Sequence, residues 1–149
     1  MYTDFASVYD RMMSSVPYDA WARYYSNLLK RYNVEAGARC VECACGTGNL
    51  TIPLAQLGYQ MTGMDLSPDM LNLAQQKSRE HGVLIPFIRM DMRSFSVQHP
   101  VQAVLATCDG PNYLLTDAEM SDFLKSAYRA LKPNGVLAFD VSTPHKLSN

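Results

Sequence analysis

No apolar run in the sequence reaches the roughly 18 residues that a membrane-spanning helix needs. Near the N-terminus Asp4 and Asp10 break up any apolar stretch, so the continuous hydrophobic region of a secretory signal is missing. These two absences give the expectation of a cytoplasmic protein that has no membrane partner. An excess of charge is lacking as well. The formal net charge is −1, so the total carries no electrostatic footprint for nucleic acid, which is not an expected partner. The Gly-x-x-x-x-Gly-Lys-Ser/Thr pattern of a P-loop occurs nowhere. Cysteine is limited to Cys40, Cys43, Cys45 and Cys108, which in a reducing compartment are thiols rather than disulfides. Cys40-x-x-Cys43 could open a zinc or iron–sulfur site. Alternate residues of a strand point to opposite faces, however, so small buried thiols and no metal are the expectation.

What is present fits a single domain. A chain of 149 residues that is 48% hydrophobic can bury a sizeable core. Its pivot is the stretch Val41-Glu42-Cys43-Ala44-Cys45-Gly46-Thr47-Gly48-Asn49-Leu50. An apolar run enters a small-residue turn, and a helical pattern leaves it through Leu50, Ile52 and Leu54 to a stop at Gly58. A strand, a tight turn and a helix start of this kind form a ligand cradle.

The rest of the chain alternates around that unit. Residues 1–34 read as an N-terminal helical segment, either packed on the domain or acting as a lid, and residues 35–149 as the core. In the N-terminal segment Trp21, Tyr24, Tyr25, Leu28, Leu29 and Tyr32 step by three and four as an amphipathic helix. Strands are expected over 39–43, 59–64, 85–90, 101–107 and 136–141. Pro86 marks the third as an edge strand. Ser67-Pro68-Asp69 starts one helix, and the capping box Thr116-x-x-Glu119 starts another. Lys132-Pro133-Asn134-Gly135 is expected to turn the chain before the fifth strand. Alternation of strand and helix implies a parallel sheet covered on both faces, with ligands beyond the carboxyl ends of its strands. Acids recur at that level: Glu42, Asp65, Asp91 and Asp109.

A dinucleotide site would want a third glycine where Thr51 stands, and no carboxylate at Glu42, which would repel a pyrophosphate. The pattern asks instead for a ligand with positive charge near Glu42 and a diol near Asp65. Adenosine joined to an amino acid through a sulfonium meets both demands. At this point the sequence resembles the class I S-adenosylmethionine-dependent methyltransferases. The family's acid-x-Gly-x-Gly-x-Gly turn is similar to Glu42–Gly48, and its second-strand acid motif to Gly63-Met64-Asp65-Leu66-Ser67. Met90-Asp91-Met92, the loop Cys108–Leu114, Leu131–Gly135 and the leading segment Phe5–Asp10 resemble further family motifs in the same order. The resemblance implies a three-layer α/β Rossmann-like fold with strand order 3-2-1-4-5. The family's strands 6 and 7 have no counterpart before Asn149, so the chain reads as a fragment or a reduced form.

The resemblance also implies roles. Glu42 orients the methionine ammonium, and backbone N–H groups from Cys45 to Gly48 receive its carboxylate. Asp65 accepts both ribose hydroxyls. Asp91 meets the adenine amino group, with Leu66 and Met92 packing the ring. Tyr9, Ala44, Cys45, Gly46, Gly48, Asn49, Met70 and Cys108 complete the cofactor set. Asp109 stands as the catalytic candidate, and Asn112 and Tyr113 as the lining of a pocket for a small-molecule acceptor. The plain alternatives are turn or helix-start chemistry for Asp65, Asp91 and Asp109, and a surface ion pair for Glu42. Ala44 replaces the family's first glycine and, as alanine, calls for a negative φ. The implied activity is in-line methyl transfer from S-adenosylmethionine. A cofactor- or nucleoside-binding module without catalysis is the alternative, and a nicotinamide-dependent oxidoreductase is third. An uncovered apolar fifth strand would invite a homodimer at that edge.

Overall fold

The computed structural model describes residues 6–8, 10–11, 17–107 and 116–140. Residues 6–8 and 10–11 are helical. There follow α1 (Tyr18–Arg31), β1 (Arg39–Cys43), α2 (Thr51–Gln56), β2 (Gln60–Asp65), α3 (Pro68–Glu80), β3 (Phe87–Arg89), β4 (Val101–Ala106), α4 (Asp117–Ala130) and β5 (Leu131–Phe139). All pairings are parallel and the strand order is β3-β2-β1-β4-β5, as expected. This order places β1 at the centre, with its carboxyl end at the point where the winding reverses. Such a reversal opens a crevice above the strand ends.

Two apolar clusters hold the layers together. On one face Leu29 of α1 and Leu54 of α2 meet Cys40, Met61, Ala103 and Leu105 of the sheet. On the other, Phe123 and Ala127 of α4 meet Val41, Cys43, Met64 and Val104. Cys40 and Cys43 thus lie on opposite faces, as strand alternation requires. Leu29, Leu54 and Phe123 are exposed by 1% or less, and burying each contributes about 1.5–3 kcal/mol.

The local signals act where they stand. Ser67 Oγ accepts the Met70 N–H at 3.2 Å to start α3, and Thr116 Oγ1 accepts the Glu119 N–H at 3.1 Å to start α4. β3 is an edge strand, and Pro86 just before it accepts the Gly63 N–H at 3.0 Å through its carbonyl. That bond uses the group a proline retains, and the strand itself begins only at the next residue.

Two expectations change. Tyr25 and Leu29 are buried in α1 and Leu28 packs on the core, as expected, but Ala22 and Ser26 share that face whereas Trp21, Tyr24 and Tyr32 are exposed. On that face Ser26 Oγ lies 3.1 Å from the Tyr59 hydroxyl, which itself donates to Val34 O. The aromatic periodicity followed side-chain size, and close helix approach followed smallness. Second, β5 starts at Leu131 rather than after a turn. Val101 pairs with Leu131 and Ala103 with Val136, so residues 132–135 form an irregularity within the strand. Asn134, at φ 67°, carries that kink in a left-handed conformation that asparagine tolerates.

Candidate cofactor site at the carboxyl edge of the sheet

The turn between β1 and α2 is built from left-handed residues: Ala44 (φ 53°), Gly46 (φ 58°) and Gly48 (φ 81°). The two glycines adopt this geometry freely. A Cβ on Gly48 would meet Ile52, Phe87 and Ala74 at 3.3–3.4 Å, so the turn also lies tight against α2, β3 and α3. Ala44 contradicts the expected negative φ. The turn imposes the glycine conformation, and alanine adopts it at a cost of about 1–2 kcal/mol. Ala44→Gly is therefore expected to stabilise the fold by about 1 kcal/mol, read as a rise in Tm with unchanged cooperativity.

Asp65, the last residue of β2, braces this turn. Its Oδ2 accepts the Gly46 N–H at 2.8 Å and its Oδ1 accepts the Ser67 N–H at 3.0 Å. The turn chemistry weighed as an alternative is thus present, and each oxygen retains a lone pair for a further donor. Space for the bracing comes from Gly63. A Cβ there would lie 2.6 Å from Phe87 and 3.0 Å from Cys45 Sγ. Cys45 in turn donates its N–H to Met64 O at 2.9 Å.

Glu42 is 2% exposed, which excludes a surface ion pair. Its carboxylate accepts the Thr51 hydroxyl at 2.5 Å and the Thr107 hydroxyl at 3.1 Å. Burial pushes its pKa up to about 7; the two threonine hydrogen bonds oppose that shift and the nearby Asp65 charge adds to it. No cation is recorded beside Glu42 among the described residues. An acid in this setting is suited to a positively charged ligand group. Cys40, Cys43 and Cys45 are free, buried thiols. Burial pushes the Cys40 thiol up to about 12, and those of Cys43 and Cys45 well above their ordinary value.

Farther out, Asp91 holds Arg93. Nε lies 3.0 and 3.1 Å from the two carboxylate oxygens and Nη2 lies 2.6 Å from Oδ2, while Nη1 reaches Glu119 at 2.6 Å. Hydrogen bonds from Arg93 hold the Asp91 carboxyl below its usual range. Met92 is buried among Phe95, Val104 and Phe123, and Met70 lines the start of α3. Leu66 is 53% exposed at the rim, an open apolar surface beside Asp65.

Asn49 points elsewhere. Its Oδ1 accepts Lys77 Nζ at 2.5 Å, and the same ammonium reaches Asp10 Oδ1 at 2.7 Å and Thr47 Oγ1 at 3.2 Å. Thr47 Oγ1 also donates to Asp10 at 2.8 Å. Burial raises the Asp10 pKa, but hydrogen bonds from Lys77 and Thr47 outweigh it and hold the acid below its ordinary value. Tyr9, Cys108, Asp109, Asn112 and Tyr113 lie outside the described residues.

The structure thus brings Glu42, Ala44, Cys45, Gly46, Gly48 and Asp65 together at one turn, with Asp91, Met92 and Leu66 on the adjoining rim. Sequence reasoning missed Thr51 and Thr107, whose hydroxyls mark nothing by spacing, and Gly63, whose role depends on a neighbouring strand. It also missed Asp140, just beyond β5, which accepts the Tyr25 hydroxyl at 2.5 Å. Lys77 had no signal at all.

A five-stranded parallel sheet in this order, with an acid and a left-handed glycine turn at the central strand end, defines the class I S-adenosylmethionine-dependent methyltransferase fold. Residues 40–135 match the methyltransferase domain family, and the chain belongs to it. The chain is 41% identical to YqeM of Bacillus subtilis (strain 168), a protein provisionally named a methyltransferase, across 99% of this chain and 58% of the relative. Among solved structures, an S-adenosylmethionine-dependent methyltransferase from Clostridium acetobutylicum ATCC 824 superposes with a TM-score of 0.86 at 27% identity. That match covers 99% of this chain and 60% of the other. CalS10, an amino pentose methyltransferase from Micromonospora echinaspora solved with S-adenosylmethionine bound, gives a TM-score of 0.82 at 25% identity, covering 93% and 58% of the two chains. The chain therefore spans about three-fifths of the length of these relatives.

Proposed function

We propose that this chain binds S-adenosylmethionine and carries the cofactor half of a methyltransferase acting on a small-molecule acceptor. The observation that supports this most strongly is the pairing of two unlike acids at one turn. Glu42 is buried, held among the described residues by two threonine hydroxyls, and suited to a cation. Asp65 is half-buried, fixed by backbone N–H groups and able to take two more donors. Glu42 would hold the ammonium end of the ligand, and the backbone from Cys45 to Gly48 its carboxylate. Asp65 would take the ribose hydroxyls, and Leu66 and Met92 would flank the base. Asp91 would share its carboxylate between Arg93 and the adenine amino group.

The bound cofactor supplies a methyl group already activated on a sulfonium. What remains for the protein is alignment of the acceptor, which at best is worth roughly 7–11 kcal/mol. Asp109, Asn112 and Tyr113 are the proposed acceptor-side residues, with Asp109 the candidate base where the acceptor must lose a proton. The amino pentose named for the Micromonospora protein supports a small acceptor.

Titration calorimetry against S-adenosylmethionine and NAD tests the cofactor, with heat of binding expected from the first alone. Transfer of labelled methyl to small-molecule acceptors tests the enzyme. Binding without transfer to any acceptor would leave a cofactor-binding module, and no binding would overturn the proposal.

Two further readings accompany this one. The free thiols support a cytoplasmic location. β5 ends the described sheet with Phe139 exposed, which supports a homodimer at that edge. Light scattering that finds only monomer at high concentration would remove the dimer.

A further inference from the structure

The ammonium of Lys77 is the only side-chain cation joined to the glycine turn by the hydrogen bonds recorded among the described residues. It has three protons to donate, and three acceptors surround it: Asp10 Oδ1, Thr47 Oγ1 and Asn49 Oδ1. Those acceptors come from two distant places, the N-terminal helical residues and the turn itself. Lys77 belongs to a third, the last turn of α3. The Thr47 hydroxyl closes the ring by donating to Asp10. The lysine side chain is 16% exposed and that of Asp10 27%, so the network is shielded beyond an ordinary surface ion pair.

We propose that Lys77 is a positioning residue for the cofactor turn, latching Asp10 of the N-terminal helical residues to Thr47 and Asn49 so that docking of those residues and cofactor binding are one coupled event. The inference rests on the proposed cofactor function for its second half only. Its physical content is simple. The turn has its left-handed residues fixed on one flank by Asp65. On the other flank its two polar side chains, Thr47 and Asn49, are held by Lys77. A turn held on both flanks presents its backbone N–H groups without further ordering. Loss of the Lys77 bonds frees Asn49 and leaves Thr47 and Asp10 joined by one hydroxyl hydrogen bond in place of the charged network, so ligand binding must then supply the order. Docking of the helix favours the ordered turn, and by reciprocity ligand on the ordered turn favours docking of the helix.

The experiment is limited tryptic cleavage after the exposed Arg11, followed with and without S-adenosylmethionine, in wild type, Lys77→Met, Asp10→Asn and the double variant. Without ligand, Lys77→Met and Asp10→Asn are each expected to speed cleavage by about tenfold, in the usual range of site-to-site coupling. The double variant is expected to be no faster than either single. In wild type the ligand slows cleavage further, whereas in Lys77→Met it does not. Lys77→Arg, which keeps the charge, restores most of the protection. Equal ligand-free cleavage of wild type and both single variants would overturn the latch. Ligand protection that survives intact in Lys77→Met would overturn the coupling. If wild type binds no S-adenosylmethionine, the cofactor reading fails, and the ligand-free arm alone decides whether the latch exists. Circular dichroism of each variant identifies any that fails to fold, and Asp10→Asn decides the ligand-free arm if Lys77→Met does.

Discussion

Replacing Asp65 with alanine is expected to lower affinity for S-adenosylmethionine by at least about 100-fold. Hydrogen bonds to a charged group are worth about 1.5–3 kcal/mol each, and two ribose hydroxyls would lose theirs. The substitution also withdraws the acceptor from the Gly46 and Ser67 N–H groups, so the turn and the start of α3 lose a common anchor. Stability should fall by about 1–3 kcal/mol, the cost of leaving polar groups without their partner. Asp65→Asn separates the two effects. It retains an acceptor oxygen for one of the N–H groups, so stability should recover more than affinity. Calorimetry measures the first effect and thermal melts the second. Unchanged affinity in Asp65→Ala would remove this residue from the site.

The second large effect is a pH dependence centred on Glu42. Its carboxyl is raised from 4.5 in the unfolded chain to about 7 in the fold, chiefly by burial. The folded protein therefore holds a proton that the unfolded chain releases. The contribution to stability is fully present below pH 4.5 and is lost as pH rises through about 7. The loss amounts to about 3 kcal/mol, from the separation of the two values. Glu42→Gln keeps the shape and abolishes this titration, so denaturant melts should become flat with pH across that window. A cationic ligand group acts in the opposite direction, because it favours the ionised acid. Affinity for S-adenosylmethionine should then rise between pH 6 and 8, with proton release near neutrality, around the value of about 7. Calorimetry in buffers of differing ionisation enthalpy counts that proton. A wild-type stability curve as flat as that of Glu42→Gln would refute the assignment.

The sequence reveals the fold because its signals are local and repeated. Apolar runs, capping residues and glycine stops each act within one turn of chain, and Ser67, Thr116 and Gly58 stand where they were read. It places Glu42, Asp65 and Asp91 at or near strand ends for the same reason, since an acid at the close of an apolar run is a linear pattern. What it hides depends on the partner across space. Thr51 and Thr107 are ordinary hydroxyl residues until the start of α2 and the end of β4 bring them to Glu42. Asp140 sat inside an expected strand, and only the end of β5 at Phe139 places it at the carboxyl edge beside Tyr25. The α1 face was only partly legible: Tyr25 and Leu29 are buried, but an aromatic stripe outweighs Ala22 and Ser26 in any periodicity, while a closely packed helix admits the smaller pair. Ala44 shows a third kind of miss. Its preference for negative φ is real, and the surrounding turn overrides it.

The thiols of Cys40, Cys43 and Cys45 have a use beyond filling space. Cys40 lies near the start of the central strand, Cys43 at its end and Cys45 in the turn beyond, at 0%, 0% and 7% exposure, with their ionisation suppressed. A reagent that attacks only thiolate in contact with water cannot reach Cys40 or Cys43 until the sheet parts. Their alkylation rate in native buffer is thus a clock for opening of the core, while Cys45, at the turn, times the mouth of the site. One chain carries both timers without an added label.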